Sequence, residues 1–297
     1  MAKKIAIVNQ KGGVGKTATS VNLASSLSLE GSRVLLVDAD YQGNAGSAFG
    51  VKQKAINENR TIGKGMIDGL PAKKAIVRTE FKNIDVIAAD MDFGEFNSQF
   101  IGKPGSHLLF KEWIEPVEND YDFMIIDTHP SLDLTFQNVM SAADYYIIPL
   151  FAEPDSVDGL HIIFKHLNEI QSRLNPRLKN LGCIITKYKS KNATHKKFLS
   201  KIEVFGHKHA LPILKVIPDS DAMSSSSDEQ IPVVLGKPSL PVSKAYRDLA
   251  TAILPKLTDK RGRPQRAIKI ERDDIRDFMN SFDSDLEGLN VQKQVRL

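Results

Sequence analysis

The stretch "KIAIVNQKGGVGKTATS" covers residues 4–20 and joins a short apolar run to three glycines, a lysine and a threonine. "KIAIVN" reads as a buried strand, and the segment from Lys16 to residue 30 reads as a helix. A glycine-rich loop that follows a strand and opens a helix is the setting of a phosphate-binding loop. Gly12, Gly13, Val14 and Gly15 can curl their backbone N–H groups around phosphate oxygens, and the helix N-terminus adds a favourable dipole. Lys16 is placed to reach β- and γ-phosphates, and the Thr17 hydroxyl to bind Mg²⁺. The first glycine of G-x-x-x-x-G-K-[ST] is missing: Gln10 stands there, followed by a second lysine, Lys11.

Further apolar runs recur at 33–40, 84–90, 122–128, 144–150, 181–186 and 212–218, with helix-length segments at 132–142, 155–174, 192–205 and 241–257. This alternation predicts an α/β domain: a three-layer arrangement with a twisted, mostly parallel sheet flanked by helices. Functional residues are then expected at the carboxyl ends of the strands. The serine run 224–227 reads as an ordered loop or short turn. Glycine and proline among charges in "TDKRGRPQRAIK" place a boundary near residue 258, giving a main domain over 1–257. Residues 258–297 read as a basic linker followed by a C-terminal amphipathic helix, with Ile275, Phe278, Met279, Phe282, Leu286 and Leu289 as its stripe.

Composition narrows the function. The 297 residues are 41% hydrophobic and 26% charged, ordinary for a globular protein. A single cysteine, Cys183 in "LGCIIT", excludes a disulfide framework or a multi-cysteine metal site within one chain and reads as a buried inert thiol. No leader-like segment and no span of about 18 apolar residues is evident, so a cytoplasmic location is expected. Net charge is only +4, but residues 187–208 hold seven lysines against one acid, Glu203. Clustered basic charge is a polyanion footprint, and equally the mark of a solvated helix face.

The K-G-G-x-G-K-T form, with Lys11 at its second motif position, resembles the deviant Walker A ATPases, which include the ParA partition proteins, MinD and the nitrogenase iron protein. "DADYQGN" (38–44) is similar to that family's D-x-D-P-Q-G-N switch, with Tyr41 in place of proline. "FMIIDTHP" (123–130) is similar to its Walker B strand and second switch, with His129 in place of the first proline, and "IPLFAEPDSVDGL" (148–160) matches a later stretch. The resemblance covers about residues 3–256. Asp127 ends an apolar strand beside the loop and is placed to hold the hydration shell of Mg²⁺. Asp38 and Asp40 alternate along a strand end, which aims both carboxylates at the phosphates. The resemblance makes Asp40 the residue that orients or activates the attacking water and Asp38 a support of the magnesium shell. Ala18 replaces a frequent threonine, removing one hydroxyl contact to phosphate, which implies weaker nucleotide affinity.

By the same resemblance Lys11 reaches across a homodimer to the other subunit's nucleotide. A cation delivered in trans neutralises charge developing in the transition state, as an arginine finger does with a ~10³–10⁵-fold effect on rate. Adenine is expected near Thr186–Lys187 and Pro218–Asp219. One cysteine argues against the iron–sulfur branches, and the acidic backing of the terminal stripe argues against a MinD-like membrane anchor. What remains resembles the short ParA-type DNA-partition ATPase, with no room before Lys11 for an N-terminal helix-turn-helix. That implies slow, partner-stimulated ATP hydrolysis, a ParB-like centromere-binding partner, nucleoid association and non-specific DNA binding. The DNA contacts expected are Lys187, Lys189, Lys191, Lys196, Lys197 and Lys201, with Arg261 and Arg263 after the boundary. "KRGRPQR" (260–266) resembles an AT-hook core and reads alternatively as a basic interdomain linker. Positioning a protein array, a microcompartment or the division machinery is the alternative within the family.

Overall fold

The computed structural model describes residues 1–153 and 158–257. Its elements run β1 (Lys3–Ile7), α1 (Lys16–Leu29), β2 (Val34–Ala39), α2 (Asn44–Ser47), α3 (Lys52–Asn57), α4 (Ile62–Met66), α5 (Ala72–Ala75), β3 (Val77–Arg78) and β4 (Ile84–Ile87). They continue with α6 (Phe96–Phe100), α7 (Leu109–Ile114), β5 (Phe123–Thr128), α8 (Leu134–Ala142), β6 (Tyr145–Phe151) and α9 (Asp158–Arg173). The last are β7 (Lys179–Tyr188), α10 (Ala193–His209), β8 (Ile213–Pro218), α11 (Ala222–Glu229), α12 (Val233–Gly236) and α13 (Pro241–Leu257). Among the described residues the strands form one sheet in the order β3-β4-β2-β5-β1-β6-β7-β8. Every pairing is parallel except β3 with β4.

The central strands are largely apolar because both their faces are covered. Side chains alternate across the sheet, so Ile5 and Ile7 join Leu36, Ile125, Leu249 and Ile253 in the core under α1 and α13. Ala6 and Val8 join Val37, Ile126, Val139, Phe164 and Phe198 in the core on the other face. Strand β1 lies between β5 and β6, so the chain leaves it towards β2 on one side while β6 closes the other. The glycine loop after β1 therefore opens at a topological switch point, where such sheets hold ligands.

Three features depart from the sequence expectations. The serine run is not a loop: it forms the middle half of α11, which has no side-chain N-cap. Two of its hydroxyls return to the helix backbone, Ser225 Oγ donating to the Ala222 carbonyl and Ser227 Oγ to that of Met223, each at 3.2 Å, while the buried Ser226 Oγ has no hydrogen-bond partner among the described residues. Lys237 Nζ then ties α11 to the next segment, donating to Ser225 Oγ at 2.7 Å and Glu229 Oε1 at 2.8 Å. The second departure is the antiparallel edge strand β3, whose two residues are too few for an alternating pattern. The third is the set of short helices between β2 and β5, each four to six residues long. Residues 258–297, with the proposed linker, terminal helix, Arg261 and Arg263, lie outside the described residues. Among those described, no helix is long and apolar enough to cross a membrane.

Candidate nucleotide site

Helix α1 begins without a side-chain cap: its N-cap is Gly15 in the left-handed region at φ 87°. The first backbone N–H groups of the helix are thus left for a ligand, as at an anion site. Gly13 is also left-handed at φ 73°, and a Cβ at Gly12 or Gly13 would meet open space. That is the surface that a phosphate chain requires. The loop is pinned from behind. Asn9 Oδ1 accepts from Lys11 N–H at 2.9 Å while Asn9 Nδ2 donates to the Pro149 carbonyl at 2.7 Å. Thr186 Oγ1 donates to the Val14 carbonyl at 2.9 Å, and its methyl would be 3.4 Å from a Cβ on Gly15.

Lys16 is only 8% exposed, and its Nζ donates to the Lys11 carbonyl at 3.3 Å. Burial pulls its pKa below the usual lysine value, while Asp127 and Asp40 act the other way. Asp127, at the end of β5, is fully buried. Ser20 Oγ donates to its Oδ1 at 2.9 Å, whereas Oδ2 has no hydrogen-bond partner. Burial pushes its pKa up to about 6, against the Thr17 and Ser20 hydroxyls and the Lys16 charge. An orphaned buried carboxylate oxygen beside a threonine hydroxyl is a site short of a cation, so the donor set fits Mg²⁺.

Asp38 and Asp40 are not aimed alike. Asp40 lines a cleft of about 600 Å³, together with Gly12, Gly13, Gly15, Lys16, Thr17 and Ala18. Asp38 is turned inward, where Oδ1 accepts from Asp40 N–H at 3.2 Å and Oδ2 from Gly46 N–H at 3.0 Å. Its register partner is Asp127. Burial first, and that neighbouring charge second, hold the Asp38 carboxyl well above the usual carboxylate range. The alternation rule fails here because β2 ends at Ala39 and Asp40 belongs to the turn.

The far wall of the cleft comes from α11 and the start of α12, through Met223, Ser224, Ser226, Ser227 and Val233. Lys187 also lines it, but Pro218 and Asp219 do not. Asp219 instead pairs with Lys189 at 3.3 Å. Lys11 is half-buried, and its side chain is not part of this cleft. Among the remaining basic candidates Lys191 and Lys196 are exposed and Lys197 and Lys201 half-buried, the last three on α10. That helix turns Phe198, Ile202 and Phe205 into the core.

Two contributors escape sequence reasoning. Ser20 has no motif signal beyond lying one helical turn after Lys16, yet it holds Asp127. The α11 wall is hidden because a serine run carries no apolar period.

A protein-family model described as an AAA domain matches residues 2–180. The chromosome partitioning protein ParA of Caulobacter vibrioides is 31% identical over 262 residues, covering 87% of this chain and 96% of that one. A crystal structure of a plasmid partition protein from Borrelia burgdorferi superposes with a TM-score of 0.68 at 27% identity, over 86% of this chain and 99% of that one. Cobyrinic acid a,c-diamide synthase from Mycobacterium smegmatis, with bound ATP analog and magnesium, gives a TM-score of 0.76 at 27% identity, over 91% and 100%. With its glycine loop, its strand-end carboxylates and these relatives in agreement, the chain belongs to the ParA-type family of P-loop ATPases.

Proposed function

We propose that this protein is an ATP- and Mg²⁺-dependent, dimerising ATPase that binds DNA non-specifically and segregates a plasmid or chromosomal centromere complex with a ParB-like partner. The observation that carries the reading is the division of labour between two lysines of one loop. Lys16 lies inside the cleft with its ammonium buried, whereas the Lys11 side chain lies outside it and Lys11 contributes only a carbonyl. Lying outside its own cleft, Lys11 is placed to meet the phosphates of a second copy of the chain, as the resemblance implies.

Magnesium-bound ATP supplies the transferable phosphoryl group and a divalent charge. The backbone of Gly12, Gly13, Val14, Gly15, Lys16, Thr17 and Ala18 cradles the phosphates, and Lys16 neutralises them. The Thr17 hydroxyl and the free oxygen of Asp127 hold the metal side, with Asp38 supporting it from behind. Asp40, facing the cleft, accepts a hydrogen bond from the attacking water and so orients it. Lys11 of the second subunit stabilises the transition state in trans. Thr186 and Lys187 border the base, with Pro218 and Asp219 further out. Hydrolysis is slow until the partner stimulates it, after which the dimer opens and leaves DNA.

Lys187, Lys189, Lys191, Lys196, Lys197 and Lys201, with Arg261 and Arg263 of the 258–297 extension, give the dimer its phosphate contacts on DNA. In cells this protein is cytoplasmic and nucleoid-associated. The test is retention on non-specific duplex DNA with ATP and with ADP across a salt series. ATP-specific retention that falls linearly in log affinity with log salt is the expected result. ATP turnover without any DNA retention would instead favour positioning of a different cargo.

A further inference from the structure

Tyr41 and His129 occupy the positions where the family motif carries prolines, on segments 88 residues apart. Their rings meet edge to face, with centroids 6.1 Å apart and planes inclined at 78°. His129 is 5% exposed, and its Nε2 lies 3.0 Å from Asp133 Oδ2. Ser131 N–H points at His129 Nδ1 from 3.4 Å, which assigns the ring proton to Nε2 and makes that nitrogen the donor to Asp133.

Asp133 is itself fixed twice. Its Oδ1 caps α8, accepting from Thr135 and Phe136 N–H at 3.0 and 3.3 Å, and its Oδ2 accepts from Asn97 Nδ2 at 2.7 Å. On the other side the Tyr41 ring packs over Gly94, where a Cβ would stand 3.7 Å from Tyr41 Cγ. Both switch segments are therefore anchored to one neighbouring stretch, at Gly94 and Asn97, and to each other through the ring contact. Asp40 is the residue immediately before Tyr41. Its Oδ1 accepts from Gln42 N–H at 3.0 Å, across the tyrosine. Any displacement of Tyr41 consequently re-aims the Asp40 carboxylate.

Two prolines would stiffen each segment separately by fixing φ, but they offer neither a donor for Asp133 nor a ring edge for the partner loop. We propose that Tyr41 and His129 form a latch that makes the two switch segments move as one unit, and that the Asp40 carboxylate is positioned through it. Both are positioning residues. The catalytic half of the inference rests on the ATPase reading of Asp40; the mechanical half does not.

Two measurements test it. In steady-state ATP hydrolysis, Tyr41→Ala and His129→Ala should each lower kcat about two- to tenfold, the scale of one edge-to-face aromatic pair. KM for ATP should stay within about twofold in His129→Ala, since His129 does not line the cleft, whereas Tyr41 does. The Tyr41→Ala/His129→Ala double variant should be no slower than the slower single variant, and Tyr41→Phe, which keeps the ring, should retain wild-type kcat. Multiplying effects in the double variant, or a His129→Ala loss carried by KM, would overturn the positioning role. In the second measurement, amide hydrogen exchange of nucleotide-free protein, His129→Ala should speed exchange over 38–44 as well as over 127–133. Exchange that changes only in the mutated segment would overturn the latch whatever the kinetics give. A wild-type protein that fails to turn over ATP would sink the ATPase reading alone, with the exchange result still deciding the latch.

Discussion

Replacing Asp127 with asparagine, in nucleotide-free protein kept in chelator, should raise folding stability at pH 8 and leave it nearly unchanged at pH 4. The wild-type carboxyl is fully buried with one oxygen unpartnered. Its pKa stands at about 6 in the folded protein, against an ordinary 3.8 that the unfolded chain should recover. Between those values the folded state keeps a proton that the unfolded state has released. Wild-type stability therefore falls as pH rises through that window and stays lowered above it. A gap of about two pKa units corresponds to about 3 kcal/mol. Asparagine keeps the shape and still accepts from Ser20, but carries no charge to desolvate. Urea unfolding from pH 4 to pH 8 should show the variant gaining about 3 kcal/mol at the upper end, with the gain fading towards zero at the lower end. A variant less stable than wild type at pH 8, or a gain that ignores pH, would refute the claim that this carboxylate is short of a cation.

Two further outcomes probe the fold around the site. Cys183 is fully buried and its thiol is pushed up to about 12, so native protein at pH 8 should resist a disulfide reagent that labels the unfolded chain at one site. Rapid stoichiometric labelling without denaturant would contradict that. Gly182 sits at φ 139°, and a Cβ there would lie 2.3 Å from the Pro212 carbonyl oxygen where β7 meets β8. Gly182→Ala should cost about 2 kcal/mol or more in thermal or urea unfolding, and an unchanged midpoint would contradict the packing.

Much of this architecture is readable before any coordinates, for identifiable reasons. Strands such as Val34–Ala39 and Phe123–Thr128 are buried on every residue, and each opens with a continuous apolar run, 34–37 and 123–126. The phosphate loop is legible because its glycines answer a backbone requirement that few other residues meet. What stays hidden depends on contacts between distant residues. Ser20 becomes informative only beside Asp127, 107 positions later. Helix α11 is held by serine hydroxyls returning to their own backbone and by Lys237, neither of which leaves a periodic trace. The inward turn of Asp38 follows from the helix that starts at Asn44 and brings Gly46 N–H to its carboxylate. The same holds for Tyr41 and His129, which look like two unrelated departures from a motif until their rings are seen to touch.

The central claim is that Lys11 completes the nucleotide site of a second subunit. Its most direct test is light-scattering mass in Mg²⁺ with ATP, with ADP and without nucleotide, on Asp40→Ala protein to slow turnover. ATP alone should double the mass, and adding Lys11→Ala should return it to the monomer value while nucleotide still binds. A dimer that forms equally with ADP, or that survives Lys11→Ala intact, would contradict the assignment.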